Sequence, residues 1–321
     1  MKFLNCQKIH GAVNLKRDLI SLLDIRDDLK GIIELATIMK GETKDGMEIS
    51  AFKGQTLAMI FEKPSLRTRV SFEVGFTQLG GSAIYLSPQE VQIGKRESVH
   101  DVAKVISRFA DVIMYRAFES KNVRELAEHA EVPVINGLDD VEHPCQAVAD
   151  FMTMTEIKGE LKGQTLAWVG DGNNVLHSLL YGAAILGMNV KAACPEGYLP
   201  DPDILEKAKR IGDETGAAIK VTNDPVEAVT DSGVVYADTF ISMGDESEKE
   251  KRLSAFNGYQ INRELFSKAK EDAIFMHCLP AHRGEEVTDE VIDSERSVVF
   301  QQAENRMHAQ KAIMLRLAGL R

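Results

Sequence analysis

The chain has 321 residues, 44% hydrophobic and 27% charged, and its 38 Lys plus Arg against 49 Asp plus Glu leave a formal charge of −11. These values fit an ordinary globular protein of about two domains and exclude a disordered or fibrous chain. The acidic balance makes it a poor general binder of nucleic acid or anionic membranes.

The N-terminal MKFLNCQKIHG has no apolar stretch of signal-peptide length, so secretion is not expected. Cys6, Cys145, Cys194 and Cys278 lie far apart with no C-x-x-C spacing, which argues against a disulfide framework and for a reducing cytoplasm. FKGQTLA at 52–58 and MIF at 59–61 read as a strand. After Pro64, Ser65 is a good N-cap for a helix that carries apolar residues at Leu66, Val70 and Val74 and stops at Gly80-Gly81. The heptapeptide returns almost unchanged as LKGQTLA at 161–167, an offset of 109 residues, followed by WVG at 168–170, a polar loop and a helix from about Asn174 to Leu186 ended by Gly187. Two copies of one strand–loop–helix unit are implied.

Further apolar runs at 112–115, 132–135, 190–194, 217–221, 234–237, 274–277 and 298–300 alternate with helical patterns at 99–110, 123–130 and 204–212. That alternation predicts an α/β fold of two similar domains, each a parallel β-sheet flanked by helices that make right-handed crossovers. Residues 147–157 read as a connecting helix with a domain boundary near 150–160, and 304–317 as a final helix crossing back to the first domain. Residues 172–190 lack any Asp, Glu, Lys or Arg over a spanning length, but Asn173, Asn174, His177, Ser178 and Asn189 would be costly to desolvate in lipid. A buried helix fits better, and no membrane association is expected.

In open parallel sheets ligands bind beyond the carboxyl ends of the strands, so the residues after each apolar run are the ones to inspect. Ser65-Leu66-Arg67-Thr68-Arg69 combines a helix N-terminus, two hydroxyls and two guanidinium groups, a composition that suits a phosphate and equally a capped surface helix with solvated arginines. Arg116 follows the run at 112–115, and His143-Pro144-Cys145-Gln146 follows an acidic loop; they could converge on one ligand or be ordinary surface and structural residues. The second copy places Asp171-Gly172-Asn173-Asn174 where the first has SLRTR, so amides replace cations and a less anionic ligand is expected there. GDGNNVLHS lacks the third glycine of G-x-G-x-x-G, which disfavours a nicotinamide cofactor. Asp238 opens DTFISMG and offers a carboxylate to an amine, or simply a turn. His277-Cys278-Leu279-Pro280-Ala281-His282 invites either a zinc site or a catalytic thiol, although strand alternation points His277 away from Cys278 and no further cluster completes four ligands.

Together SLRTR, HPCQ, DGNN, DTFISMG, HCLP and AENR, in that order over about 240 residues, resemble the ornithine carbamoyltransferase family. The resemblance implies a domain at 1–150 that binds carbamoyl phosphate, with the helix at 304–321 packed back on it, and an ornithine-binding domain at 151–303, joined by bridging helices. It implies that Ser65, Leu66 through its backbone, Arg67 and Thr68 hold the phosphate. Arg116, His143 and Gln146 would hold the carbamoyl group, and Arg306 would close the anion site. Gln92 matches a residue given to a neighbouring subunit's site, which implies a homo-oligomer, a trimer or a multiple of trimers. Asn174, Asp238, Ser242 and Met243 would bind the α-amino and α-carboxylate groups of ornithine, and Cys278 and Leu279 would sit where the substrates meet.

The implied reaction gives citrulline and phosphate with no metal or other cofactor. Arg116 and His143 would act as oxyanion donors, and Cys278 as a proton acceptor in thiolate form, with the leaving phosphate as its competitor. One departure is Leu66, since STRTR is commoner than SLRTR in the family. The rivals are sister transcarbamoylases that use aspartate, putrescine or N-acetylornithine, and, from other classes, a dehydrogenase or a zinc protein built on His277, Cys278 and His282.

Overall fold

The computed structural model describes residues 16–94, 96–242, 244 and 246–321. Four parallel strands, β1 (Thr56–Phe61), β2 (Ser82–Leu86), β3 (Val112–Arg116) and β4 (Val134–Leu138), form a sheet in the order β2-β1-β3-β4. Five more, β5 (Thr165–Val169), β6 (Asn189–Ala193), β7 (Ile219–Thr222), β8 (Val234–Ala237) and β9 (Ile274–His277), form a second parallel sheet in the order β7-β6-β5-β8-β9. The chain therefore has two parallel-sheet domains flanked by helices.

The repeat lies at equivalent places, because Thr56 opens β1 and Thr165 opens β5. Each strand follows a turn whose glycine, Gly54 or Gly163, has φ of 78°, a left-handed conformation that glycine adopts without a Cβ penalty. Side-chain alternation along the buried strands then builds three cores. Leu57, Met59, Val112 and Met114 from one sheet and Leu166, Trp168, Val234 and Tyr236 from the other face a shared core. Their neighbours Ala58, Ile60, Ile113 and Tyr115 face the first outer core, and Ala167, Val169, Val235 and Ala237 the second. Helices Leu29–Lys44, Pro144–Lys158, Asn174–Leu186 and Val299–Leu317 contribute to the shared core. Trp168 stacks on Tyr236 with centroids 5.3 Å apart. A truncation in such a core costs about 2–5 kcal/mol.

Some expectations change. The run at 298–300 is no strand: it begins the final helix, which starts at Val299 and packs on helices Leu29–Lys44, Pro144–Lys158 and Leu66–Gln78. The apolar residues Leu66, Val70 and Val74 lie on the exposed face of their helix, and the buried face is instead Thr68, Ser71, Phe72, Gly75 and Phe76. Ser65 does cap that helix, accepting the Thr68 N–H. The uncharged stretch forms helix Asn174–Leu186, buried from Val175 to Ala184 and closed by Gly187 at φ 71°. No helix among the described residues is long and apolar enough to cross a membrane.

Candidate active site

Both sheets change the direction of their strand order beside the strand that opens their repeat, between β1 and β3 and between β5 and β8, and a cleft of about 520 Å³ opens at the carboxyl ends of these strands. One wall comes from Ser65, Leu66 and Arg67 after β1, Arg116 at the end of β3, His143 and Gln146 at the start of helix Pro144–Lys158, and Arg306 of the final helix. Asn174, Asp238 and Ser242 form the facing wall, and Cys278 and Leu279 after β9 lie between. Met243 and Cys6 lie outside the described residues. Gln92 does not line this cleft; it is exposed, with φ of 46°.

Buried Thr68 anchors the cationic wall. Its hydroxyl receives Arg306 Nη2 at 2.9 Å and Arg116 Nη1 at 3.5 Å, and Ser65 Oγ donates to it at 3.0 Å. Glu62 pins the loop from behind by accepting the Tyr115 hydroxyl at 2.8 Å and the Phe118 N–H at 2.6 Å. Four buried polar atoms on this wall have no protein partner: Arg116 Nε, Arg306 Nε, His143 Nδ1 and Gln146 Oε1. Buried groups left unpaired are costly, so their convergence marks a place built for a polar ligand.

Burial, reinforced by crowding of like charge, sets the protonation states. Burial, followed by Arg306, brings the Arg116 guanidinium down to about 9, and burial with the Arg306, Arg116 and Lys63 cations holds His143 well below the usual imidazole range. His143 is thus a neutral ring. Burial and then Arg116 lower Lys63, another residue lining the cleft, to about 8.

Across the cleft the chemistry reverses. Asp238 is 7% exposed and accepts Asn173 Nδ2 at 2.8 Å, the Thr239 N–H at 2.8 Å and the Cys278 thiol at 3.0 Å. Burial first, then the Asp238 carboxylate, pushes the Cys278 thiol well above its ordinary value. The expected thiolate is reversed: beside this carboxylate Cys278 is a protonated donor. β9 ends at His277, and the chain turns at Leu279, φ 58°, so strand alternation no longer separates the two side chains. A ring nitrogen of His277, a carboxylate oxygen of Asp238 and the Cys278 sulfur lie within 4.8 Å of one another, while His282 groups instead with Glu285 and Glu286. His277 Nδ1 accepts the Leu279 N–H at 2.9 Å and its Nε2 faces Glu286 Oε1 at 3.2 Å, so both ring nitrogens already have protein partners.

Sequence models of a known family match nearly the whole chain: residues 17–156 match the "Aspartate/ornithine carbamoyltransferase, carbamoyl-P binding domain" and residues 162–317 the "Asp/Orn binding domain". The chain belongs to the aspartate/ornithine carbamoyltransferase family. It is 53% identical over 302 residues to the ornithine carbamoyltransferase of Oceanobacillus iheyensis, covering 94% of each chain. It is 51% identical to a catabolic ornithine carbamoyltransferase of Thermoplasma volcanium, covering 94% of this chain and 98% of that one. Its fold matches the ornithine carbamoyltransferase structure from Pyrococcus furiosus with a TM-score of 0.91 at 50% identity, over 95% of this chain and 98% of that one.

Within this carbamoyltransferase architecture, sequence reading missed Lys63 and did not separate Asn173 from Asn174. Asn173 looked interchangeable with Asn174, yet it alone reaches Asp238 while its Oδ1 caps Val175 and Leu176; Asn174 donates to the Asp139 carbonyl. The N-cap position was a usable signal for Asn173. Nothing local marked Lys63.

Proposed function

We propose that this chain transfers the carbamoyl group of carbamoyl phosphate to the side-chain amine of L-ornithine, giving L-citrulline and phosphate. The observation that carries this reading is the two-sided cleft: cations and unpartnered polar atoms on one wall, the Asp238 carboxylate on the other. We assign residues 1–150, with the helix at 304–321, to carbamoyl phosphate and residues 151–303 to ornithine; the packing of Val299–Leu317 on helices of the first half supports the grouping.

In this reading Ser65, the Leu66 N–H, Arg67, Thr68 and Arg306 hold the phosphate. Arg116 and neutral His143 donate to the carbamoyl oxygen, where charge develops as the amine attacks, and Gln146 meets the carbamoyl nitrogen. Asp238, Asn174, Ser242 and Met243 hold the α-amino and α-carboxylate groups, and Cys278 and Leu279 border the reacting atoms. The N–C bond forms, the C–O bond to phosphorus breaks, and the leaving phosphate takes the amine proton, since a thiol that donates to Asp238 is no base. Ornithine is favoured over aspartate because a second carboxylate would face Asp238, and over putrescine because Asp238 would lose its partner. No step calls on a metal or other cofactor.

We further infer a homotrimer or a multiple of trimers. Gln92 lies exposed outside this chain's cleft, in keeping with service to a neighbouring subunit, and Val70 at 48% and Val74 at 39% exposure on the helix after the anion loop suit a subunit contact. The buried free thiols Cys145 and Cys194 favour a cytoplasmic setting, where the reaction would serve arginine metabolism. The test is citrulline formation by purified protein from carbamoyl phosphate and ornithine. Turnover that persists with chelator is expected; no carbamoyl transfer to any amine would overturn the reading.

A further inference from the structure

Behind the carbamoyl wall lies a carboxylate that the reaction so far leaves unused. Asp150, one turn after Gln146 on helix Pro144–Lys158, is fully buried, and side-chain donors from three elements converge on it. Gln146 Nε2 donates to Oδ1 at 2.8 Å, Gln302 Nε2 of the final helix donates to the same oxygen at 2.7 Å, and the Tyr236 hydroxyl of β8 donates to Oδ2 at 3.0 Å. Gln302 is itself fixed, because its Oε1 accepts the backbone N–H of His277 at 3.0 Å, next to Cys278.

Burial raises the Asp150 carboxyl to about 7, but because Oδ2 faces the Tyr236 hydroxyl, which can accept as well as donate, Oδ1 stays an acceptor in either protonation state and decides which way the neighbouring amide lies. Gln146 must commit its NH2 to Asp150, and this leaves Oε1, buried and unpartnered, as its remaining polar atom at the cleft it lines. That distinction matters for this substrate: a carbamoyl NH2 needs an acceptor, whereas its phosphate needs donors. With the opposite amide orientation, Gln146 would present NH2 to NH2.

We propose that Asp150 is a positioning residue, which holds the Gln146 carbonyl toward the carbamoyl nitrogen and ties that orientation through Gln302 and Tyr236 to the strand ends of the second half. The proposal rests on the carbamoyl-transfer reading. Its consequence is selective, since recognition of the carbamoyl group depends on Asp150 while recognition of the phosphate does not.

The test is a double-mutant cycle read on two ligands. Asp150→Asn offers its own NH2 and frees Gln146 to turn, so kcat/KM for carbamoyl phosphate should fall about 30-fold, while inhibition by inorganic phosphate stays within about threefold of wild type. In a Gln146→Ala background the same change should cost less than about threefold further, because Asp150 acts through Gln146. Tyr236→Phe keeps the ring and removes one donor, and it should give the same pattern at about fivefold; it carries the test if Asp150→Asn does not fold. Effects of Asp150→Asn and Gln146→Ala that multiply, or phosphate inhibition that weakens in step with carbamoyl phosphate, would overturn the proposal. Wild-type protein that forms no citrulline would overturn the carbamoyl-transfer reading itself; wild-type turnover unchanged by Asp150→Asn would overturn only the positioning role.

Discussion

β1 and β5 begin after the same KGQT turn and lead into helices of equal length, Leu66–Gln78 and Asn174–Leu186, yet the loops between them carry opposite chemistry. After β1 come Ser65, Arg67 and Thr68, joined by Arg116 and Arg306, and burial first, then a neighbouring guanidinium, Arg306 for Arg116 and Arg67 for Arg306, lowers the proton affinity of these two. After β5 come Asn173 and Asn174, with the Asp238 carboxylate beyond β8 accepting three donors. The backbone frame is repeated and the side chains are not. A helix N-terminus at a strand end is a general place to hold a polar group, and the residues set on it decide whether the guest is an anion or an amine.

The largest break in this contrast comes from the first half. Arg116→Ala removes a buried guanidinium whose neighbours are built around it, and kcat/KM for carbamoyl phosphate should fall about 1,000-fold in steady-state citrulline assays. Asp238→Asn strikes the second half alone: the KM for ornithine should rise about 30-fold, with the KM for carbamoyl phosphate within about threefold. Parallel losses for both substrates in either variant would erase the division of labour.

The seam between the halves gives a smaller effect that depends on pH. Buried Glu142 accepts the Leu22 N–H at 3.0 Å and the Ser178 hydroxyl of the second half at 3.2 Å, and burial raises its carboxyl from 4.5 to about 7. Between those values the folded chain keeps a proton that the unfolded chain releases. Stability from this group is therefore present below pH 4.5, falls as pH rises to about 7 and is level above, with a slope of at most about 1.4 kcal/mol per pH unit. Glu142→Gln removes the titration and can still accept both bonds. Its thermal midpoint relative to wild type should thus improve from pH 5 to pH 8; a constant difference would contradict the assignment.

The smallest effect is expected at Leu66, 74% exposed at the edge of the anion wall. Leu66→Thr should change kcat/KM less than about threefold and stability by no more than about 0.5 kcal/mol, since the backbone N–H is the group in use.

Much of the frame was legible in the sequence because it is periodic or punctuated. The repeated heptapeptide set two equivalent strands, Ser65 and Gly187 set helix ends, and strand ends located Arg116, Asp238 and Cys278. What failed was decided by tertiary packing. Val298, Val299 and Phe300 look like a strand, yet they open a helix in which Phe300 is 73% exposed. Leu66, Val70 and Val74 form an apolar stripe that faces outward because Thr68 and Phe72 are drawn in. β2, half-exposed at a sheet edge, carried too weak a pattern to stand out. Asp150 was invisible for another reason: its meaning lies in Gln146, Tyr236 and Gln302, and two of these lie more than 80 residues away.

The most direct test of the central claim is acceptor choice, measured as kcat/KM for ornithine, aspartate, putrescine and N-acetylornithine with carbamoyl phosphate held saturating, in wild type and Asp238→Asn. The account predicts that ornithine leads by about 100-fold or more and that Asp238→Asn erodes this lead while leaving carbamoyl phosphate binding intact. A wild-type preference for another amine, or an ornithine preference untouched by Asp238→Asn, would contradict it.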